Sequence, residues 1–173
     1  YGLQCPKILE FLKSAIDAGR IDAIIQSTDK NLLTPVGGAI ILSPKKDLTE
    51  AISKAYAGRA SATPALNLLV SLLALGIKGF SEKLAEQQVC RKLLEREMDS
   101  YATEIGETLI KSNNPVSLAM SLKTLNQSQI SDLGGYLYNL RLTGPRIVDI
   151  GKSAFGSCTN DMPYSYIVMN AAI

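Results

Sequence analysis

Two cations stand where catalysis could use them. Lys30 lies in the polar cluster Gln26-Ser27-Thr28-Asp29-Lys30-Asn31, after the isoleucine-rich run Ile21-Asp22-Ala23-Ile24-Ile25 and before the glycine pair Gly37-Gly38. Ligands of α/β proteins gather at the carboxyl ends of strands. A lysine amine held there near apolar walls has its pKa lowered and can act as a Schiff-base nucleophile. Pyridoxal phosphate (PLP) enzymes place their lysine in such a setting. The competing reading is a solvated surface lysine, the ordinary state of a lysine in a polar loop. Arg59, in Gly58-Arg59-Ala60-Ser61, puts a guanidinium among small residues that let a ligand come close. Arginine grips phosphate through two parallel hydrogen bonds, which lysine cannot match. A cation beside a glycine also suits a plain helix C-terminus. Gly37-Gly38 fits either a close approach to a phosphate or neighbouring subunit, or a bulge or tight strand crossing. It belongs to neither GxGxxG nor a P-loop, so no nucleotide site follows.

Composition narrows the chemistry further. The 173 residues contain no histidine. Within this chain that excludes a Ser-His-Asp or Cys-His nucleophile, a His-containing zinc site and an imidazole proton shuttle. Acid–base work falls to Lys, Asp, Glu, Tyr or Cys. Eighteen Lys+Arg against sixteen Asp+Glu leave a net charge of +2, weak for a sequence-independent grip on nucleic acid. Cys5, Cys90 and Cys158 form no CxxC and read as free thiols in a reducing compartment. The glutamates and aspartate Glu95, Glu97 and Asp99 read as a solvated helix face. No metal site is expected.

The elements that must position these residues follow from pattern. Residues 6–18 read as a helix with Pro6 at its first position and Gly19 just past its end. Ile21–Ile25 reads as a strand buried on both faces, and Val36–Leu42 as a second strand. Only ten residues separate them, too few for a helical crossover, which favours antiparallel pairing. A helix runs from Ser43-Pro44 to about Tyr56. The apolar run Ala65–Ile77 is shorter than the about 20 residues that span a bilayer, and reads as a buried helix. Phe80–Ile110 is helical, Val116–Leu122 a strand, and a helix interrupted at Gly134-Gly135 follows. Arg146–Ile150 is a strand, and Tyr164–Ile173 opens a last helix. The order means α/β or α+β, with a shift near residue 62 from sheet-rich to helix-rich.

Several runs resemble one family. They are Gly19-Arg20-Ile21-Asp22-Ala23, Gln26-Ser27, Asp29-Lys30-Asn31, Pro35-Val36-Gly37-Gly38-Ala39-Ile40-Ile41 and Gly58-Arg59-Ala60-Ser61-Ala62. Others are Asn114-Pro115-Val116-Ser117-Leu118-Ala119-Met120, Thr143-Gly144-Pro145-Arg146-Ile147-Val148 and Asn170-Ala171-Ala172-Ile173. Together they resemble the O-phosphoseryl-tRNA(Sec) selenium transferases. The resemblance implies an α/β, type I PLP-dependent transferase fold, here a C-terminal segment. Residues 1–61 would end the PLP-binding domain and 62–173 would belong to the C-terminal domain. It implies a cytoplasmic homotetramer with no membrane association. The reaction would convert O-phosphoseryl-tRNA(Sec) to selenocysteinyl-tRNA(Sec), with selenophosphate as selenium donor. By the Gln-Ser-x-Asp-Lys-Asn motif, Lys30 would carry PLP and move a proton at the substrate Cα. By the Gly-Arg-Ala-Ser motif, Arg59 would hold the phosphoserine phosphate. Two arginines that contact tRNA in some members fall on Asp17 and Leu140, with Arg141 one position on. The isolated segment is expected to be inactive, the remaining cofactor contacts lying upstream. Another type I PLP enzyme, or a non-catalytic tRNA- or partner-binding module that kept the fold, stays open at this point.

Overall fold

Pro6 opens α1 (Pro6–Asp17), where a missing N–H costs nothing. Gly19 closes it at φ 68, and the N–H groups of Gly19 and Arg20 bond back to the Ile16 and Ala15 carbonyls at 2.9 Å each. This paired cap satisfies the last carbonyls of the helix. The computed structural model describes residues 6–56, 58–150 and 162–171.

β1 (Ile24–Ser27) and β2 (Ala39–Leu42) pair antiparallel, with Ile24 opposite Leu42 and Ser27 opposite Ala39. The short connection allows nothing else. The expectation of a strand buried on both faces is corrected. The pair is a two-stranded ribbon and Ile25 is 72% exposed, because no further strand among the described residues flanks β1. A one-turn helix, α2 (Thr28–Asn31), follows β1 directly. After β2 comes α3 (Lys46–Ala55). Lys45 Nζ reaches Asp22 Oδ1 at 2.7 Å, and Ser43 Oγ donates to the Asp22 carbonyl at 2.7 Å. The hydrogen bond from Lys45 and its charge hold the Asp22 carboxyl below its ordinary pKa.

α4 (Thr63–Glu104) is broken at Gly76, whose φ of 60 and ψ of −178 only glycine adopts readily. By length and apolar content α4 passes as a membrane-crossing helix. The break leaves Thr63–Leu75 before it, short of the about 20 residues a span requires. The buried-helix expectation for Ala65–Ile77 is also corrected: Leu66, Leu69, Val70, Leu72, Leu73 and Ile77 are exposed. Nothing within the described residues covers that face.

Two compact units divide within α4, one up to Leu84 and one from Ala85 to Ala172. The division lies beyond the compositional shift near residue 62, because the first turns of α4 pack with the first unit. Ser71 Oγ donates to the Leu33 carbonyl at 3.2 Å, and Pro64 lies against Gly38.

The second unit holds an antiparallel sheet in the order β3 (Leu109–Ile110), β4 (Ser117–Ser121), β6 (Tyr166–Asn170), β5 (Arg146–Val148). Two expectations are corrected here. Leu109-Ile110 leaves the helix and pairs with Met120 and Ala119. The segment expected to open a last helix is instead β6, a strand paired on both sides. Its run Tyr166-Ile167-Val168 is aromatic and β-branched, which suits a pleated surface. Helix still predominates after residue 62, as expected, in the long α4 and in the segment Gln127–Asn139, with the four short strands set among them. α5 (Gln127–Asn139) runs uninterrupted through Gly134-Gly135 and starts with a capping box between Asn126 and Gln129. The core joins Met98 and Ala102 of α4 to Leu118, Met120, Leu122, Ile130 and Ile167. The charged face of α4 is solvated as expected, with Arg91–Glu95 and Arg96–Glu97 pairs at 2.6 Å each. Cys90 is free and exposed; Cys5 and Cys158 lie outside the described residues.

Candidate active site

The site grows from the end of β1. Thr28, first residue of α2, is 3% exposed. Its N–H bonds to the Gly38 carbonyl at 3.0 Å, and its Oγ1 accepts from Thr34 Oγ1 at 2.8 Å. The glycine strand must come this close. A Cβ on Gly38 would stand 2.5 Å from Thr28 Oγ1 and 3.1 Å from Pro64 Cβ. Gly38→Ala is therefore expected to destabilise the first unit by about 1–3 kcal/mol. Hydrogen exchange of the β1 and β2 amides reads the effect, and unchanged protection would contradict the close packing.

Around this contact opens a cleft of about 570 Å³, lined by Thr28, Gly37, Gly38, Tyr56, Ala60 and Ser61 among others. Its volume falls in the range of small-molecule sites. The lining brings three separate sequence motifs to one place: the polar cluster after β1, the glycine pair and the Gly-Arg-Ala-Ser loop. Lys30 and Arg59 belong to the first and third of these, but neither side chain lines the cleft. Lys30 has a side chain 53% exposed, with Nζ 3.4 Å from Asp29 Oδ2. Arg59 is exposed on the loop. An accessible primary amine two residues along from the cleft-lining Thr28, with the cleft itself lined by small and hydroxyl residues together with Ile40, Tyr56, Pro64 and Leu68, fits a phosphorylated aldehyde such as PLP: the amine can condense with the aldehyde, and a partly apolar cleft of this size suits a ring.

A second polar centre lies in the other unit. Glu107 is 4% exposed. Burial by itself pushes its carboxyl up. Hydrogen bonds outweigh that, from Ser121 Oγ, from the Lys123 and Thr124 N–H groups and from Thr124 Oγ1, and they lower it from 4.5 to about 2. Thr124 N and Oγ1 reach Oε1 at 2.7 and 2.8 Å. Each oxygen is satisfied by groups within this unit, so the centre is a structural clamp between β4 and the end of α4.

The family model of O-phosphoseryl-tRNA(Sec) selenium transferase matches residues 1–173. The chain belongs to that family. The selenium transferase of Methanocaldococcus jannaschii is 42% identical over the whole of this chain and 39% of its own length. That of Dictyostelium discoideum is 31% identical over the whole chain and 42% of its own. A crystal structure of an archaeal selenium transferase superposes with a TM-score of 0.83 at 38% identity, covering all of this chain and 39% of that one. The chain thus spans about two fifths of the length of these selenium transferases. The α/β expectation agrees with this neighbour. Sequence reasoning missed the Thr28–Thr34 pair, Tyr56 and Glu107. Threonines six apart around a lysine could have signalled a closed turn. Nothing local marks Glu107, whose hydrogen-bond donors come from residues 14 to 17 positions away.

Proposed function

We propose that the full-length protein converts O-phosphoseryl-tRNA(Sec) to selenocysteinyl-tRNA(Sec), taking selenium from selenophosphate. The observation that carries this reading is the cleft at which the Lys30, Gly37-Gly38 and Arg59 motifs meet in a chain of the selenium transferase family. PLP, when bound, supplies the electron sink that removal of a Cα proton requires. Lys30 would hold the cofactor covalently, and once displaced by the substrate amine it would move the Cα proton. Arg59 would bind the phosphate of phosphoserine with two parallel hydrogen bonds and so orient the leaving group. The reading includes a type I PLP-dependent transferase fold. In it residues 1–61 close the cofactor-binding domain and 62–173 belong to the C-terminal domain of a cytoplasmic homotetramer.

The test is conversion of phosphoserine-charged tRNA(Sec) by the full-length protein with PLP and selenophosphate. Turnover of a phosphate-free amino acid instead would indicate another type I PLP enzyme. Retained tRNA binding without PLP binding would indicate a non-catalytic module. Arg59→Lys keeps the charge and loses the fork. The lost charge-assisted bond, about 1.5–3 kcal/mol, predicts a fall in kcat/KM of about 10- to 100-fold. Wild-type kcat/KM in that variant would remove Arg59 from the site.

A further inference from the structure

The turn after Lys30 is held in a backbone state that side chains avoid. Leu33 lies at φ 55, a left-handed conformation that a bulky residue keeps only where its surroundings impose it. Ser71 Oγ pins the Leu33 carbonyl at 3.2 Å. One residue on, Thr34 Oγ1 donates to Thr28 Oγ1 at 2.8 Å, and both threonines are buried. The two hydroxyls thus staple the ends of a short segment that contains Lys30. The helix inside it cannot hold itself. It has four residues, and its N-cap Ser27 makes no side-chain capping bond. A single turn is unstable alone, since nucleation fixes many dihedrals for one hydrogen bond. Each residue of roll turns a helical side chain by about 100°, so the heading of Lys30 depends on what anchors α2 at Thr28.

We infer that Thr28, Thr34 and Ser71 are positioning residues for Lys30. The buried hydroxyl pair closes the segment Thr28–Thr34, the α4 serine pins its strained residue, and together they set the direction in which the lysine amine leaves α2. This rests on Lys30 being the cofactor lysine.

The test uses the full-length protein with PLP. Thr34→Val keeps the shape and removes the donor; Thr34→Ser restores it. Thr34→Val is expected to slow formation of the borohydride-reducible adduct on Lys30 and to lower kcat by about 10- to 100-fold, with KM for phosphoseryl-tRNA(Sec) unchanged. Its visible absorption is expected to shift, and Thr34→Ser to return rate and spectrum to wild type. Adduct formation, spectrum and kcat at wild-type levels in Thr34→Val would overturn the inference, as would a serine variant no better than valine. If Thr34→Val shows no cooperative melting, Ser71→Ala decides. Slower adduct formation supports the inference and wild-type behaviour overturns it. Lys30→Ala separates the two readings. An adduct that persists there overturns the lysine assignment and this inference with it. Loss there beside a wild-type Thr34→Val overturns the positioning alone.

Discussion

Lys30→Ala in the full-length protein is expected to lose its borohydride-reducible PLP adduct and to lower phosphoseryl-tRNA(Sec) conversion by at least about 10³-fold. One side chain is asked to do two tasks, covalent attachment and proton transfer, and proton transfer by a placed group is alone worth about 10²- to 10⁴-fold. Within this chain no histidine can substitute. The neighbouring carboxylate Asp29, whose side chain is 18% exposed, could accept a proton but cannot form a bond to an aldehyde carbon. Added primary amine is expected to recover part of the proton transfer and none of the protein-linked adduct. Mass spectrometry of the reduced protein reads the adduct site directly. A reduced adduct still present in Lys30→Ala would move the cofactor to another lysine.

Glu107 should govern the acid limit of the second unit. Its folded pKa of about 2 lies below the ordinary 4.5. The stability it contributes is therefore fully present above pH 4.5. It drains away as pH falls from there through about 2. A shift of this size corresponds to about 3 kcal/mol. Protection of the β3 and β4 amides against hydrogen exchange, followed between pH 6 and 2 in the full-length protein (the two ends set about the titration window), should fall accordingly. Glu107→Gln should be less stable at neutral pH by about 2–4 kcal/mol. It trades charge-assisted bonds for an amide whose N–H groups face other donors. The same variant should lose the acid-dependent fall. Parallel pH profiles for the two proteins would show that another carboxylate sets the limit.

Local rules read from the chain served well where an element was decided by its own residues. Pro6 and Gly19 bracket α1 because a ring that lacks an N–H and a residue free of Cβ act within one turn. The antiparallel β1–β2 pair followed from a connection too short for a helical crossover, a matter of reach. The same rules failed where partners decided. Tyr166–Asn170 has no strong helix or strand signal of its own beyond a few β-branched and aromatic residues, and its pairing with both β4 and β5 makes it a strand. Leu109-Ile110 continued a helical period but pairs with β4 instead. The apolar run of α4 looked like core because hydropathy counts side chains and not neighbours; Leu73 and Ile77 are 74% and 91% exposed.

For the site, residue types alone excluded histidine chemistry within this chain and left Lys30 as a candidate Schiff-base nucleophile beside the plain reading of a surface lysine. They offered Arg59 among small residues as a candidate phosphate fork, beside the reading of an ordinary helix C-terminus. Tertiary structure decided the rest. It brought the segments around Lys30, Gly38 and Arg59 to one cleft, seated Thr34 on Thr28, pinned the left-handed Leu33 from α4 and buried Glu107 under donors far away in sequence. The physical reason is range. Charge, nucleophilicity and backbone freedom belong to single residues, whereas close approach, burial and hydrogen-bond satisfaction are properties of pairs that only folding brings together.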